Sequence, residues 1–430
     1  MADGGARAIV AAGVAGIIVY AFPGYLSTDS IDQLAQARAG EYGDWHPPVM
    51  AALWHGVEIV VTGPLGMLVL QVTCFVVGAY LLLARVLAPR TAALVAVAIA
   101  WLPPIACELA VIWKDSQMAG YALLGVAFVG DSRRGARAAG LVLLGLASAM
   151  RYNAAALTLP IVLLAYAPPV HGARRLAIAT VMWVAITGGA AAANRLLADR
   201  HEHPWQQSVA MMDLAGIARW SHADDRELAA ALEGTPLRDA SQIRERAQAR
   251  YRPHWMWSEI WDDGGLFRPA RDDTELDAIT RAWRELVVAY PRAYLHHRWR
   301  MTRELLQVPG TYASDSAYVW FTDVQDLAGS ARRSKHDAAP SRVQQLLQPA
   351  ALWLGDSVWF APWWYAVLSL VMLVFARRDR TAFALLAGGV LCELTLCFAA
   401  PTPDARYSLW LFVATAVGGA LVVARRVRPA

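Results

Sequence analysis

Apolar residues reach this chain in long runs. Crossing a bilayer takes roughly 20 mostly apolar residues. Runs of that kind cover 7–26, 65–87, 91–112, 116–131, 137–152, 154–170, 174–194, 357–376, 381–400 and 405–424. Inside hydrocarbon every backbone N–H and C=O must find its partner within the segment, which leaves helices as the available structure. Composition points the same way. Of the 430 residues 57% are hydrophobic and 17% charged, where soluble domains have about 45–50% and about 25%. The expected fold is an α-helical polytopic membrane protein with about ten transmembrane helices. The first run follows Arg7, as in a signal peptide. With no small-x-small cleavage site before Pro23, it reads as a retained anchor.

The charges are unevenly placed. More than half of them lie between Asn194 and Gln345, so one hydrophilic block separates two apolar regions. The expected organisation is a membrane region over 1–194 with a first loop at 23–64, a soluble block at 195–350, and a second membrane region over 351–430. A formal charge of +4, scattered along the chain, does not suggest nucleic acid as a partner. Cys74, Cys107, Cys392 and Cys397 lie in apolar runs, without a disulfide framework or zinc spacing.

Arginine clusters orient the spans. Arg85 and Arg90, Arg133/Arg134/Arg137, Arg174/Arg175, Arg377/Arg378/Arg380 and Arg425/Arg426/Arg428 fall in alternate connections. The positive-inside rule assigns those connections and both termini to the cytoplasm. The block at 195–350 is then on the outer side of the membrane. Counting Val49–Thr62 as a span would reverse every later cluster. It contains His55 and Glu58 and reads as an interfacial helix.

Four basic residues outside the block remain on the outer side: Arg38, Lys114, Arg151 and Arg406. Two readings stand. They converge on an anion such as phosphate, or each pairs with a nearby acid such as Asp115 or Asp404. In the first loop, Asp29, Asp32, Gln33 and Gln36 recur at helical spacing on one face, with Ser27 or Thr28 to start the helix and Gly40 to end it. The two carboxylates suit a general base or a divalent cation; a solvated helix face is the plainer reading. His46 lies in Asp44-Trp45-His46-Pro47-Pro48, and Lys114 in Trp113-Lys114-Asp115-Ser116. Arg151-Tyr152-Asn153 and Asp404-Ala405-Arg406-Tyr407 complete the set. Ionisable residues at membrane depth are functional candidates. Trp113 and the tyrosines also fit an interfacial aromatic belt.

The hydrophilic block carries Trp205, Trp220, Trp255, Trp257, Trp261, Trp283, Trp299 and Trp320, read chiefly as core. His201-Glu202-His203 and His296-His297 lack the i, i+4 spacing of a helical metal pair. Asp277–Gln307 reads as two helices broken at Pro291.

Taken in order, these motifs resemble the GT-C glycosyltransferases, in particular the bacterial relatives of the protein O-mannosyltransferases and lipid A aminoarabinose transferases. The likeness rests on Asp29-Ser30, Gln33, the Gly40-Glu41-Tyr42-Gly43-Asp44 turn and His46-Pro47-Pro48. The Trp113-Lys114-Asp115 and Asp404-Ala405-Arg406-Tyr407 turns add to it. It covers about 1–190 and 355–425. The resemblance implies transfer of a sugar from a polyprenyl-phosphate donor to a glycan, lipid or protein acceptor of the cell envelope. Asp29 would be the base. His46, Lys114, Arg151 and Arg406 would hold the donor phosphate. Asp32 or Asp404 would orient the cations or bind metal, with Asp115, Asn153 and Tyr407 in support. Two positions depart from the pattern. Ser30 stands where a second acid is usual, so a divalent cation is left open. His46 stands for lysine, which ties phosphate contact to a group titrating near about 6.5. The rival reading is a multi-pass transporter of a sugar or anionic substrate, for which symmetry-related halves are expected and none is visible.

Overall fold

The computed structural model describes residues 3–166, 170–253, 256, 260, 262–310, 342–355 and 357–427. Among the described residues there is no strand, and helices follow one another along the chain. The chain divides into two compact units, one comprising Met1–Arg200, Asp315–Glu393 and Arg406–Ala430, the other His201–Ser314 and Leu394–Ala405.

The first unit begins with α1 (Gly4–Ala21), α2 (Thr28–Ala39), α3 (Pro48–Glu58), α4 (Leu65–Leu83), α5 (Pro89–Ala100) and α6 (Pro103–Ala110). It continues through α7 (Lys114–Val129), α8 (Arg134–Met150), α9 (Ala155–Pro160) and α10 (Gly172–Leu197). Among the described residues five helices are long and apolar enough to cross a membrane: α1, α4, α10, Arg380–Ala399 and Ala405–Val427. The protein has the build of an α-helical membrane protein. Its outward surfaces agree with that. Along α10, Leu176, Val181, Val184 and Leu196 are exposed, a cost in water that lipid would remove.

Other apolar runs fold differently from the uniform windows read in the sequence. The run 91–112 is not one straight helix. It breaks before Pro103, and α5 and α6 meet at 72°, because proline cannot donate into the ladder and excludes helical geometry at the residue before it. The run 154–170 yields the short α9 continued by a single π-turn, Ile161–Ala165. Runs 116–131 and 137–152 become helices of 16 and 17 residues.

α7 lies at the centre of this unit, with 14 of its 16 residues buried, so it needs neighbours on all sides. Small residues admit them. A Cβ on Gly78 of α4 would lie 2.5 Å from the backbone N of Leu124, and one on Gly140 of α8 2.5 Å from that of Val129. Backbone therefore packs on backbone along both faces of α7, which fixes where its N-terminal Lys114 and Asp115 stand.

The second unit has its own core, built by α11 (Met211–Trp220), α12 (Asp225–Ala231), α13 (Ile243–Arg250), α14 (Asp273–Ala289) and α15 (Pro291–Leu305). The break expected at Pro291 is present, with proline in the first turn of α15. Met211, Leu214, Ile217, Ile243, Phe267 and Ile279 are buried together. Trp283 is half-buried, donates to Asp213 at 2.7 Å and packs edge-on against Trp205, but Trp205 and Trp299 are exposed, so those two are not core. Trp255, Trp257, Trp261 and Trp320 lie outside the described residues. The last helices of the chain are α16 (Arg342–Gly355), α17 (Pro362–Ala376), α18 (Arg380–Ala399) and α19 (Leu409–Val427).

Candidate functional site

The site begins with the cap of α2. Ser27 and Ser30 form a reciprocal capping box at 3.2 Å each way, satisfying two otherwise orphan N–H groups. Both hydroxyls also reach across the unit. Ser30 Oγ donates to the Ile112 carbonyl at 2.7 Å, and Trp113 Nε1 donates to Ser27 Oγ at 2.5 Å. Backbone bonds Tyr25 N to Ala110 O and Ile112 N to Tyr25 O, 3.0 and 2.9 Å, complete the seam. The first turn of α2, with Asp29, is thereby pinned beside the first turn of α7, with Lys114. Ser30, which the resemblance sets where an acid is usual, is fully buried in this seam.

At its other end α2 stops at Gly40, whose φ of 71° is left-handed, as expected of a terminating glycine. Gln36 accepts from Gly43 N at 3.0 Å. Tyr42 and Asp44 bond to Asp199 and Arg200 after α10. Asn194 of α10 accepts from Val49 N at 3.2 Å and donates to the Ala149 carbonyl at 3.0 Å. These ties hold His46 and the Pro47-Pro48 start of α3.

Four of the residues singled out in the sequence meet. Arg406 Nη1 lies 2.8 Å from Asp29 Oδ2, Lys114 Nζ 3.5 Å from the same oxygen, and His46 Nε2 3.6 Å from Oδ1. Lys114 Nζ is also 3.3 Å from His46 Nδ1. An ammonium has no lone pair, so Nδ1 accepts and the proton of neutral His46 sits on Nε2, facing Asp29. A second pair adjoins the first. Arg151, the residue ending α8, contacts Asp115, and its guanidinium lies 4.6 Å from the centre of the Tyr407 ring. Arg406 lies 5.3 Å from that ring and 4.6 Å from the Trp113 ring. Tyr407 therefore joins the two halves. Trp113, which the sequence reads as belt, is 1% exposed and forms a wall of the cluster.

Electrostatics bias this cluster toward anions. Two arginines and a lysine are in contact with Asp29 and Asp115 here. Burial alone would raise the pKa of Asp29, but Arg406, His46 and Lys114 hold it well below the usual carboxylate range. Burial, reinforced by Lys114, lowers the pKa of His46 against the pull of Asp29, in accord with the neutral tautomer. The Asp29 side chain keeps 23% of its surface exposed, against 10% for Lys114 and 11% for Arg406. The carboxylate is the accessible member of a largely buried set.

Other sequence candidates stand elsewhere. Asp32 is exposed and accepts from Gln36 Nε2 at 2.7 Å; it does not join Asp29. The face they share in the sequence is split, with Ser30, Gln33 and Gln36 buried. Asn153 donates to Cys392 Sγ at 3.6 Å. Asp404 is buried in the second unit. Arg38 forms a two-pronged bridge to Glu58 at 2.9 Å, so each of the four outer cations has an acid partner, Arg151 in Asp115 and Lys114 and Arg406 in Asp29, and three of the four also share one cluster. Among the described residues no group of three or more His, Cys, Asp or Glu is placed to hold a metal ion.

Fold and site together define an α-helical membrane protein whose first unit carries a buried, cation-rich cluster around one accessible carboxylate. No protein-family model, curated protein or solved structure matches the chain.

Proposed function

We propose that the protein is a GT-C-type glycosyltransferase of the bacterial inner membrane, moving a sugar from a polyprenyl-phosphate donor to a cell-envelope acceptor at the outer face. The observation that carries the reading is the meeting of Asp29 with Arg406, Lys114 and His46. In this reading α7, α8, Ala155–Ala165 and α17 join the longer helices and the bent pair as ten spans, and the block at 195–350 is periplasmic.

The reaction needs two things that one cluster supplies. The acceptor hydroxyl gives its proton to Asp29 as its oxygen bonds to the sugar's anomeric carbon. The bond from that carbon to the phosphate oxygen breaks, and its electron pair stays on the polyprenyl phosphate. Lys114, Arg406 and Arg151 stabilise that charge where it develops. His46 Nε2–H is a further donor. Without donor, Asp29 is the counter-ion of Arg406 and Lys114, too acidic to be a strong base. A phosphate that draws these cations away raises the Asp29 pKa toward its task, so the base is activated by the substrate it serves.

The test is binding of a panel of polyprenyl-phosphate sugars to the protein in nanodiscs. Selective binding of one donor, weakened about tenfold or more in Arg406→Ala by loss of a charge-assisted contact, supports the reading. A folded protein that binds none, yet moves a sugar or anion across proteoliposomes, favours the transporter.

A further inference from the structure

We propose that the second unit has an anion site of its own, built for a phosphate-bearing ligand; this does not depend on the transferase reading. A cleft of about 390 Å³ is lined by Arg219, Arg252, Arg300 and Arg303 around Trp220, with Glu304 the one carboxylate on its wall among the described residues. Guanidinium groups stay charged at any physiological pH and repel one another when gathered around one concave volume. The indole holds two of them: Arg219 lies 4.2 Å and Arg300 5.1 Å from its ring centre. Cation–π attraction supports each arginine without cancelling its charge. Among the described residues no carboxylate pairs with Arg219 or Arg300. The charge that would settle the cleft is a bound anion, and the planar forks of arginine match phosphate oxygens.

The rear of the cleft is pre-set. Tyr251 lines it, and the Tyr251 hydroxyl is fixed by a 2.6 Å bond with His297 Nδ1. His297 Nε2 lies 3.0 Å from Asp213, which Arg298 and Trp283 hold from other sides at 2.6 and 2.7 Å. Arg252 in turn donates to the Tyr251 carbonyl at 2.9 Å. A wall ordered on folding loses little freedom when ligand arrives. The phosphate has two sources to separate, a soluble phosphate-bearing molecule or a lipid headgroup.

The experiment uses the full chain in phosphatidylcholine nanodiscs, titrated calorimetrically with pyrophosphate. Saturable binding is expected, weakened at least about tenfold in the double variant Arg219→Gln/Arg300→Gln and kept in Arg406→Ala. Arg300 is exposed and Arg219 half-buried; an unchanged melting temperature shows that the double variant is folded. Flotation with phosphatidylglycerol vesicles separates the sources. Vesicle binding lost in the double variant assigns a headgroup, whereas arginine-dependent pyrophosphate binding without vesicle binding assigns a soluble ligand. Equal pyrophosphate binding by wild type and double variant, or none by wild type, overturns the proposal.

Discussion

Single residues in this protein are defined by the company they keep. His46 next to a lysine and an aspartate is a neutral donor and acceptor, not the imidazolium that its place in a phosphate-binding pattern suggests. The free protein holds its pKa below the usual histidine value, and a bound phosphate would raise it. Binding then takes up a proton, so donor affinity should tighten as pH falls and level off at alkaline pH, where His46 is neutral both free and bound. Titrations from pH 5.5 to 8, repeated with His46→Gln, check this; a slope that persists in the variant assigns it to another group. His46, Lys114 and Asp29 were legible because unusual polar residues stand out against apolar neighbours. Asp32 looked equivalent to Asp29 because periodicity alone cannot say which member of a helical face meets a partner 85 residues away in the chain. Trp113 reads as belt, and Tyr407 enters only in support, because an interfacial aromatic and an aromatic that braces an arginine look alike in sequence.

Helices position those residues through their ends and through close packing. Gly140→Ala places a Cβ 2.5 Å from backbone that cannot swing aside, so α8 must leave α7 and stability should fall by about 1–3 kcal/mol or more. Gly188→Ala on α10 meets nothing within 4 Å, and should be neutral or stabilising by up to about 1 kcal/mol. Thermal melting of both variants in detergent checks the contrast; equal effects would deny that α7 is gripped backbone to backbone. In the second unit α11 approaches α15 where a Cβ on Gly216 would lie 2.4 Å from the His297 ring. His297 is buried beside Asp213, with Arg298, Tyr251 and His296 around it. Burial lowers its pKa against the pull of Asp213. A folded pKa below the unfolded one means that the unfolded chain binds the proton first. Stability should therefore fall as pH drops below about 6.5 toward the folded pKa, and be fully present above that window. Denaturant midpoints at pH 7.5 and 5.5 check the sign, and His297→Gln should flatten this part of the slope. The apolar runs announced nearly all these helices. The 72° break between α5 and α6 was also written there, as Pro103-Pro104, but hydropathy averaging passes over two prolines within an apolar run.

For the whole molecule, sidedness and chemistry are both open to test. Sidedness is open to cysteine labelling. Arg226→Cys in the second unit and Ser132→Cys between α7 and α8 both stand exposed. With the native cysteines replaced, an impermeant maleimide added to spheroplasts should modify the first and spare the second. Labelling of Ser132→Cys alone would invert the topology. In the proposed transferase the chemistry rests on Asp29, which would be both a rival of the donor phosphate for Arg406 and Lys114 and its partner in catalysis. The most direct measurement is turnover and donor affinity together, for wild type and Asp29→Asn in nanodiscs with an identified lipid-linked sugar. The account predicts turnover lower by about 10²-fold or more, with donor affinity unchanged or tighter because Arg406 and Lys114 are released to the phosphate. Normal turnover in Asp29→Asn, or loss of donor binding with it, would contradict the role assigned to Asp29.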